Sequence, residues 1–371
     1  MARQGSFRSS ELTWTRDARE SAAHRTKVRL STWASRLAGS LALLALLCGP
    51  ASAQWRQGGI PVSSSAASQY SPCAVSDGQN GAYVAWLDMR TPASIRVQHV
   101  RQDGTNDPLW PASGLIVPSS VTENSSLVCA STGGSGLFIA WTETHVGSGD
   151  DVYAQHVLAN GTVDATWPPG GRVVCNAVGA QGELATAAAA GHAYLVWSDW
   201  RGGTYSAIYA QYLDTTGYIA WPNGLALSTG LFHRRTPDIV SDNTHAYVTW
   251  SRSLDSAETK RSVRVQRISP TGVVPGWPDS GAVASDSTQL QREPRLAVCT
   301  SGGVFVGWEE LRVSTGYDIR VQKFGSDGVR SWAALPRRPV ALRGAVRSNG
   351  ARTDPGWHGW RHRLLAGPAF R

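Results

Sequence analysis

The sequence predicts an all-β fold, a β-propeller of about five four-stranded blades, and three observations predict it. One motif recurs five times, as AYVAW (82–86), LFIAW (137–141), AYLVW (193–197), AYVTW (246–250) and VFVGW (304–308). Each copy is followed by a strand-like segment ending in Gln98, Gln155, Gln211, Gln266 or Gln322, and then by a second tryptophan, Trp110, Trp167, Trp221, Trp277 or Trp332. The period of 53 to 58 residues is that of a propeller or solenoid, not of one irregular domain. The third observation is that the tryptophan motif is apolar on both faces. Alternate residues of a strand face opposite ways, so Trp with an aliphatic residue (Val84, Ile139, Leu195, Val248, Val306) lies on one side. An aromatic residue (Tyr83, Phe138, Tyr194, Tyr247, Phe305) with a small one lies on the other. A strand greasy on both sides belongs between two neighbouring sheets.

Each unit divides into four strands. The first is represented by Cys73–Ser76 and Asp238–Ser241 and often follows a proline (Pro72, Pro237, Pro294). The second is the tryptophan motif and the third ends in the glutamine. The fourth, as in Gly114–Val117 and Gly224–Leu227, follows the second tryptophan. Asp77-Gly78 and Gly302-Gly303 are turns between the first two strands, and Asp103-Gly104, Asn160-Gly161 and Asp327-Gly328 are turns after the third. Ala187–Ala190 has helical composition but falls in register with a first strand. Trp55 stands 55 residues before Trp110, in phase with the repeat. An orphan fourth strand around Ile60–Val62 is therefore expected to complete the last blade and remove open sheet edges. Because the rhythm stops after Trp332, an incomplete or truncated larger ring is the alternative.

The domain reading is a leader and secretory signal peptide over 1–53, propeller repeats over 54–333 and an Arg-rich unstructured tail over 334–371. Leu37 to Cys48 is an apolar run too short to span a bilayer; basic residues precede it and Ala51-Ser52-Ala53 follows it. Cleavage after Ala53 and a secreted or cell-surface location are expected, with no transmembrane span afterwards. The long stretch before Val28 suggests a downstream start codon. The tail holds eight Arg and no Lys, and is read as a frame-shifted translation or, alternatively, a basic arm. Its His358 and His362 have helical metal spacing, but Pro355, Gly356 and Gly359 oppose a helix. The formal charge of +8 resides in the ends, +5 in 1–53 and +7 in 334–371, which leaves −4 on the repeats and excludes nucleic acid as a partner. Cys73, Cys129, Cys175 and Cys299 remain after cleavage; they are read chiefly as small buried hydrophobes, and the three pairings open to them are unranked.

In a repeat protein an active site occurs once and scaffold occurs in every unit. The repeated Trp and Gln residues are therefore scaffold, with each Gln amide satisfying neighbouring backbone. The loops after the tryptophan strands differ most. They supply the binding-rim candidates Asp88, Arg90, Asp199, Trp200, Arg201, Arg252, Glu310 and Arg312. Acids beside arginines and an aromatic suit carbohydrate or carboxylate recognition; the competing reading is in-loop ion pairing, Asp88 to Arg90 and Asp199 to Arg201. Glu143 and Glu309 are the candidate catalytic acids. No cofactor is expected; Asp150-Asp151 and Glu309-Glu310 are the carboxylate pairs that could hold calcium, without a calcium-loop spacing. No metal motif, P-loop, nucleophile elbow or dinucleotide fingerprint is present.

The turn-to-tryptophan closures, Asp103-Gly104-Thr105 to Trp110 and Asn160-Gly161-Thr162 to Trp167, resemble those of secreted bacterial β-propellers of the sialidase-like, Asp-box type. The resemblance covers residues 55–332 and is architectural, since the complete Ser-x-Asp-x-Gly-x-x-Trp spacing is missing. The chain also resembles the repeat regions of long exported proteins. The leading expectation is a monomeric, non-catalytic binding or interaction propeller for a glycan or a protein. The alternatives are a glycoside hydrolase of sialidase-like fold and a fragment of a longer exported repeat protein.

Overall fold

The computed structural model describes residues 58–332, apart from 190, 313 and 315. The leader, its cleavage point at Ala53, Trp55 and the Arg-rich tail lie outside these residues. The described part falls in one unit of chain that begins at Gln57. It is all β, with no helix among the described residues.

The first sheet is β1 (Gln69–Ser76), β2 (Ala82–Asp88), β3 (Ser94–Val100) and β4 (Leu115–Val117). The second is β5 (Leu127–Ser131), β6 (Gly136–His145), β7 (Gly149–Leu158) and β8 (Arg172–Cys175). The third is β9 (Gln181–Ala189), β10 (His192–Asp199), β11 (Ala207–Asp214) and β12 (Leu225–Ser228). The fourth holds β13 (Arg234–Ser241), β14 (Ala246–Ser253) and β15 (Arg261–Ser269), with β16 (Gly272–Val273) and β17 (Ala282–Val283) both paired to β15. The fifth is β18 (Gln291–Val298), β19 (Val304–Arg312) and β20 (Gly316–Phe324). All pairings are antiparallel and, apart from that of β17 with β15, join sequence neighbours, so each sheet is a meander. Ala187 pairs with Tyr194 inside β9–β10, which confirms the strand reading of the alanine run up to Ala189.

The tryptophan strand is the middle layer of each contact. Leu137, Ile139 and Trp141 pack toward the first sheet, with Leu87, Ile95 and Trp110. Phe138 and Ala140, the alternate residues of the same strand, pack toward the third, with Leu195 and Trp197. The same alternation joins the third sheet to the fourth and the fourth to the fifth. Burial of both faces explains the absence of polar alternation in these five motifs. None of the four clusters joins the fifth sheet to the first. Successive first strands approach one another, β1 to β5, β5 to β9, β9 to β13 and β13 to β18, so these edges face the interior of the array. Stacked meanders with their first strands inward are the blade arrangement of a β-propeller.

Two expectations are corrected. Ile60–Val62 is not a strand, and the fifth sheet has three strands, so no closing strand is supplied by the described N-terminal residues. Cys73 and Cys129 are not merely small hydrophobes: they form a disulfide across 56 residues that ties β1 to β5. Cys299 lies just beyond the end of β18 and is a free thiol. Cys175 is a free buried thiol, and burial pushes its pKa up to about 11.

Candidate functional site

The five glutamines form one tie. Gln98, Gln155 and Gln266 each donate from Nε2 to a carbonyl just past the closing tryptophan, Pro111 (3.0 Å), Pro168 (2.9 Å) and Pro278 (2.6 Å). Gln211 does the same to the Trp221 carbonyl. In all five, Oε1 accepts the amide of the following residue: His99, His156, Tyr212, Arg267 or Lys323. Gln98, Gln155, Gln211 and Gln266 are fully buried, so the tie satisfies backbone that water cannot reach.

A second repeated tie absorbs most of the rim candidates. Two residues after the strand tryptophan stand Asp88, Glu143, Asp199, Arg252 and Glu310. The Trp86 indole donates to Asp88 (3.3 Å), Trp141 to Glu143 (2.8 Å) and Trp197 to Asp199 (2.8 Å). All three carboxylates are buried. Arg90 reaches Asp88 through Nε (2.7 Å) and Nη2 (2.6 Å), and Arg201 reaches Asp199 through Nε (2.9 Å) and Nη2 (2.7 Å) while its guanidinium stacks over Tyr209 at 3.7 Å. For Asp88, burial would raise the pKa, but the hydrogen bonds from Arg90 and Trp86 outweigh it and hold the group below the ordinary carboxylate value. Glu143 is further occupied by the Ser120 amide (2.8 Å). The geometry of Asp88, Glu143 and Asp199 is thus that of a scaffold bond present in successive blades. Arg252 breaks the series, and the Trp250 indole nitrogen has no hydrogen bond among the described residues. Glu310 turns to Arg320 (3.2 Å) and Gln291 (3.2 Å). With Arg312, which pairs with Asp318 (2.7 Å), it lines an open depression of about 490 Å³ shared with Asp286, Thr288 and Gln289. Trp200 is partly buried, with Arg235 5.9 Å from its ring.

The inner edge offers a different set. In four blades the first strand carries a bulge, and its residue adopts positive φ: Ser71 (49°), Glu183 (52°), Thr236 (52°) and Glu293 (50°). A bulge adds a residue to one strand and re-aims a side chain. Glu183 Oε2 accepts from the Ser198 hydroxyl (2.6 Å) and from the Thr236 amide of the next blade (2.8 Å), which fixes the carboxylate between two blades. Glu309 follows its strand tryptophan by one residue, the place taken by Leu87, Thr142, Ser198 and Ser251 elsewhere. It accepts from Arg292 Nε (2.8 Å), whose guanidinium stacks on Tyr317 at 3.9 Å. Glu309 is opposite Arg292 and Ser198 is opposite Gly182, both just before a bulge, so Glu183 and Glu309 occupy one level of the inner edge. Glu309 is not repeated, Glu183 recurs as Glu293 at the bulge of the fifth sheet, and both Glu183 and Glu309 are partly exposed. Glu183, Glu293 and the nearby Asp238, which accepts the Leu296 amide of the next blade (2.9 Å), were missed from sequence. A signal existed: an acid on a first strand in some units only, beside the prolines Pro237 and Pro294.

No group of three or more His, Cys, Asp or Glu residues is placed to hold a metal among the described residues. No helix of the described residues is long and apolar enough to cross a membrane.

No protein-family profile and no curated protein matches the sequence. Solved structures with a similar arrangement include an exo-1,5-α-L-arabinanase from a bovine ruminal metagenomic library, at 10% identity and TM-score 0.35, covering 71% of this chain and 97% of that one. A thermostable family-43 glycoside hydrolase matches at 10% identity and TM-score 0.37, covering 78% and 99%. An α-L-arabinanase from Penicillium chrysogenum complexed with arabinobiose matches at 13% identity and TM-score 0.39, covering 71% and 91%. At these values the likeness is one of fold. The proteins found are glycoside hydrolases, not binding modules, against the leading expectation of a non-catalytic interaction propeller.

Proposed function

We propose that this chain is a glycoside hydrolase built on a five-bladed propeller, exported to the cell surface or medium, with its reaction at the inner edge of the blades. The observation that carries the proposal is the pair Glu183 and Glu309: two partly exposed carboxylates beside the first-strand bulges of their sheets, each anchored through one oxygen. Glycoside hydrolysis uses two carboxyl groups, one to protonate the leaving oxygen and one to attack the sugar or activate water. Glu183, held by a hydroxyl and a backbone amide, suits the second role because its position is set by two rigid strands. Glu309, beside the half-exposed pair Arg292 and Tyr317, takes the first. Glu143 is excluded from both because it is buried and its Oε1 is held by the Trp141 indole and the Ser120 amide.

The test is turnover of a panel of aryl pentosides and hexosides by the wild type, by Glu183→Gln and by Glu309→Gln. Each variant should lose on the order of 10²–10⁴ in kcat, the usual worth of a positioned acid or base. Glu309→Gln should recover with a strongly activated leaving group, which needs no proton, and Glu183→Gln should not. Wild-type protein without turnover on every glycoside, or both variants retaining wild-type rates, would overturn the proposal.

A further inference from the structure

The fourth sheet balances charge around its strand tryptophan differently from the first and the fifth. In the first sheet Arg96 stands opposite Trp86, and Asp88 answers both: it accepts from the indole (3.3 Å) and lies 3.6 Å from the Arg96 guanidinium. In the fifth, Arg320 stands opposite Trp308 and pairs with Glu310 at 3.2 Å. In the fourth, Arg264 stands opposite Trp250, but the residue two places after the tryptophan is Arg252 instead of an acid. Arg264 donates to the Ser262 hydroxyl (3.2 Å) and the Gly281 carbonyl (3.3 Å), neither of which carries charge. The acids of this sheet are engaged elsewhere, Glu258 with Arg235 and Arg261 and Asp242 with Arg267.

A third guanidinium joins the other two. Arg234 is opposite Arg252, where other sheets set Gln69 against Asp88, Gln181 against Asp199 and Gln291 against Glu310. Arg234 is buried, and its guanidinium is wrapped by the carbonyls of Thr229, Gly230, Leu231 and Phe232 and by the Ser228 hydroxyl. Burial, then the charges of Arg252 and Arg264, pull its pKa down to about 10. Burial and the Arg252 charge lower Arg264 as well. Two donors in this basic cluster are left over. Trp250 is fully buried with no acceptor for its indole nitrogen among the described residues, and the buried Arg252 Nε has none either. The Trp308 indole shares that condition, but in its sheet Glu310 supplies the negative charge. Buried positive charge is costly unless an opposite charge and hydrogen-bond acceptors meet it.

We propose that the fourth sheet binds a small monovalent anion, a halide or a simple carboxylate, between the Trp250 indole and the guanidiniums of Arg252 and Arg264. The anion takes the role of the acid that the chain lacks at position 252. In the first sheet one atom fills that role: Asp88 Oδ2 meets the Trp86 indole at 3.3 Å, Arg90 Nη2 at 2.6 Å and Arg96 Nε at 3.6 Å. A single anionic atom is therefore enough, and a halide meets the need as well as a carboxylate oxygen does. Trp250 belongs to the hydrophobic cluster that joins the third sheet to the fourth, so the bound anion stabilises that interface.

Urea unfolding of the full chain in sodium chloride, formate and gluconate at equal ionic strength tests this, gluconate being too bulky to reach a buried indole. An anion bound only by the folded state stabilises it by mass action. Replacing gluconate so that chloride or formate rises about tenfold should therefore lower the unfolding equilibrium constant at least about threefold. A response to chloride and formate alike assigns the site to any single anionic atom, and a response to one of them assigns it to that class. Arg252→Asp, which restores the missing acid, should lose the anion dependence and match or exceed the wild type in gluconate. Bromide diffused into crystals of the unmutated chain gives a reading that no folding defect can obscure: its anomalous density should lie within hydrogen-bond distance of the Trp250 indole nitrogen. Equal stability in all three salts would overturn the proposal. So would bromide bound only away from Trp250, or an anion dependence that Arg252→Asp retains.

Discussion

At the scale of residues, the repeat ties an acceptor to the buried strand tryptophans of the first three sheets, Trp86, Trp141 and Trp197. A buried indole N–H left without an acceptor costs about 1–3 kcal/mol, and Glu143 supplies that acceptor at 2.8 Å to Trp141, which is fully buried. Glu143→Ala should therefore lower stability by about that amount in urea unfolding, and Glu143→Gln, which keeps an acceptor oxygen, by less. Equal losses would mean that the charge, not the hydrogen bond, matters. A second prediction concerns acid. For Asp77, burial would raise the pKa, but hydrogen bonds from His99 and from the Gln79 and Gly81 amides outweigh it and leave the group below the ordinary value. Asp107 is lowered against its burial by the Leu109 amide, His99 and Arg101, and Asp164 by the Thr166 amide, His156 and the Thr166 hydroxyl. A folded pKa below the unfolded one, about 3.9 for Asp, gives stability that is present above pH 4 and is lost as pH falls through the folded value. Melting temperature should hold from pH 6 to 5 and drop below pH 4, and Asp77→Asn should reduce the size of that drop. The candidate site was only half legible at this scale. Glu309 could be singled out because its place in the repeat is Leu, Thr or Ser elsewhere. Glu183 was less legible, because no proline stands beside it as Pro237 and Pro294 stand beside Asp238 and Glu293. Asp88, Glu143 and Asp199 looked functional because charge beside Arg suggests a rim, and only the indole geometry shows them to be internal acceptors.

At the scale of elements, the four-strand meander was legible because both faces of the second strand are apolar and the turns carry their own chemistry. The breaks in register were not, since a bulge at Ser71, Glu183, Thr236 or Glu293 depends on how the first strands crowd the interior rather than on local sequence. The turn between the closing tryptophan and the fourth strand is a tight point of the unit. At Gly171 (φ 88°) a methyl would lie 2.5 Å from the Trp141 ring, and at Gly224 it would lie 2.6 Å from Trp197. The Cη2–Cζ2 edge of the second-strand tryptophan lies against this turn, so a side chain there would crowd the approach of the fourth strand. Gly171→Ala combines a left-handed backbone penalty of about 1–2 kcal/mol with overpacking of about 1–3 kcal/mol. It should destabilise by about 2–5 kcal/mol in all. Gly170→Ala, where a methyl meets nothing within 4 Å, is the control and should cost far less by the same denaturant assay.

At the scale of the whole molecule, the array is a chain of neighbour contacts, each blade packed on the next through one hydrophobic cluster, and stability in such an array is close to a sum over interfaces. The sequence announced the number and order of these interfaces but not how the array is closed, because closure depends on contacts between distant ends that no local pattern records. It also left the cysteines unpaired on paper, since pairing depends on which first strands meet. The structure joins Cys73 of β1 to Cys129 of β5, across the first interface only. Closing a loop of 56 residues restricts the unfolded chain, an effect worth about 2–4 kcal/mol. In an additive array that gain belongs to the first interface and is not shared with the fourth. Reduction, or replacement of both cysteines by serine, should therefore speed amide hydrogen exchange in β1–β8 while leaving β13–β20 nearly unchanged. A uniform acceleration across all five blades would show instead that the molecule unfolds as a single cooperative body, with the inner edge coupling every blade to every other.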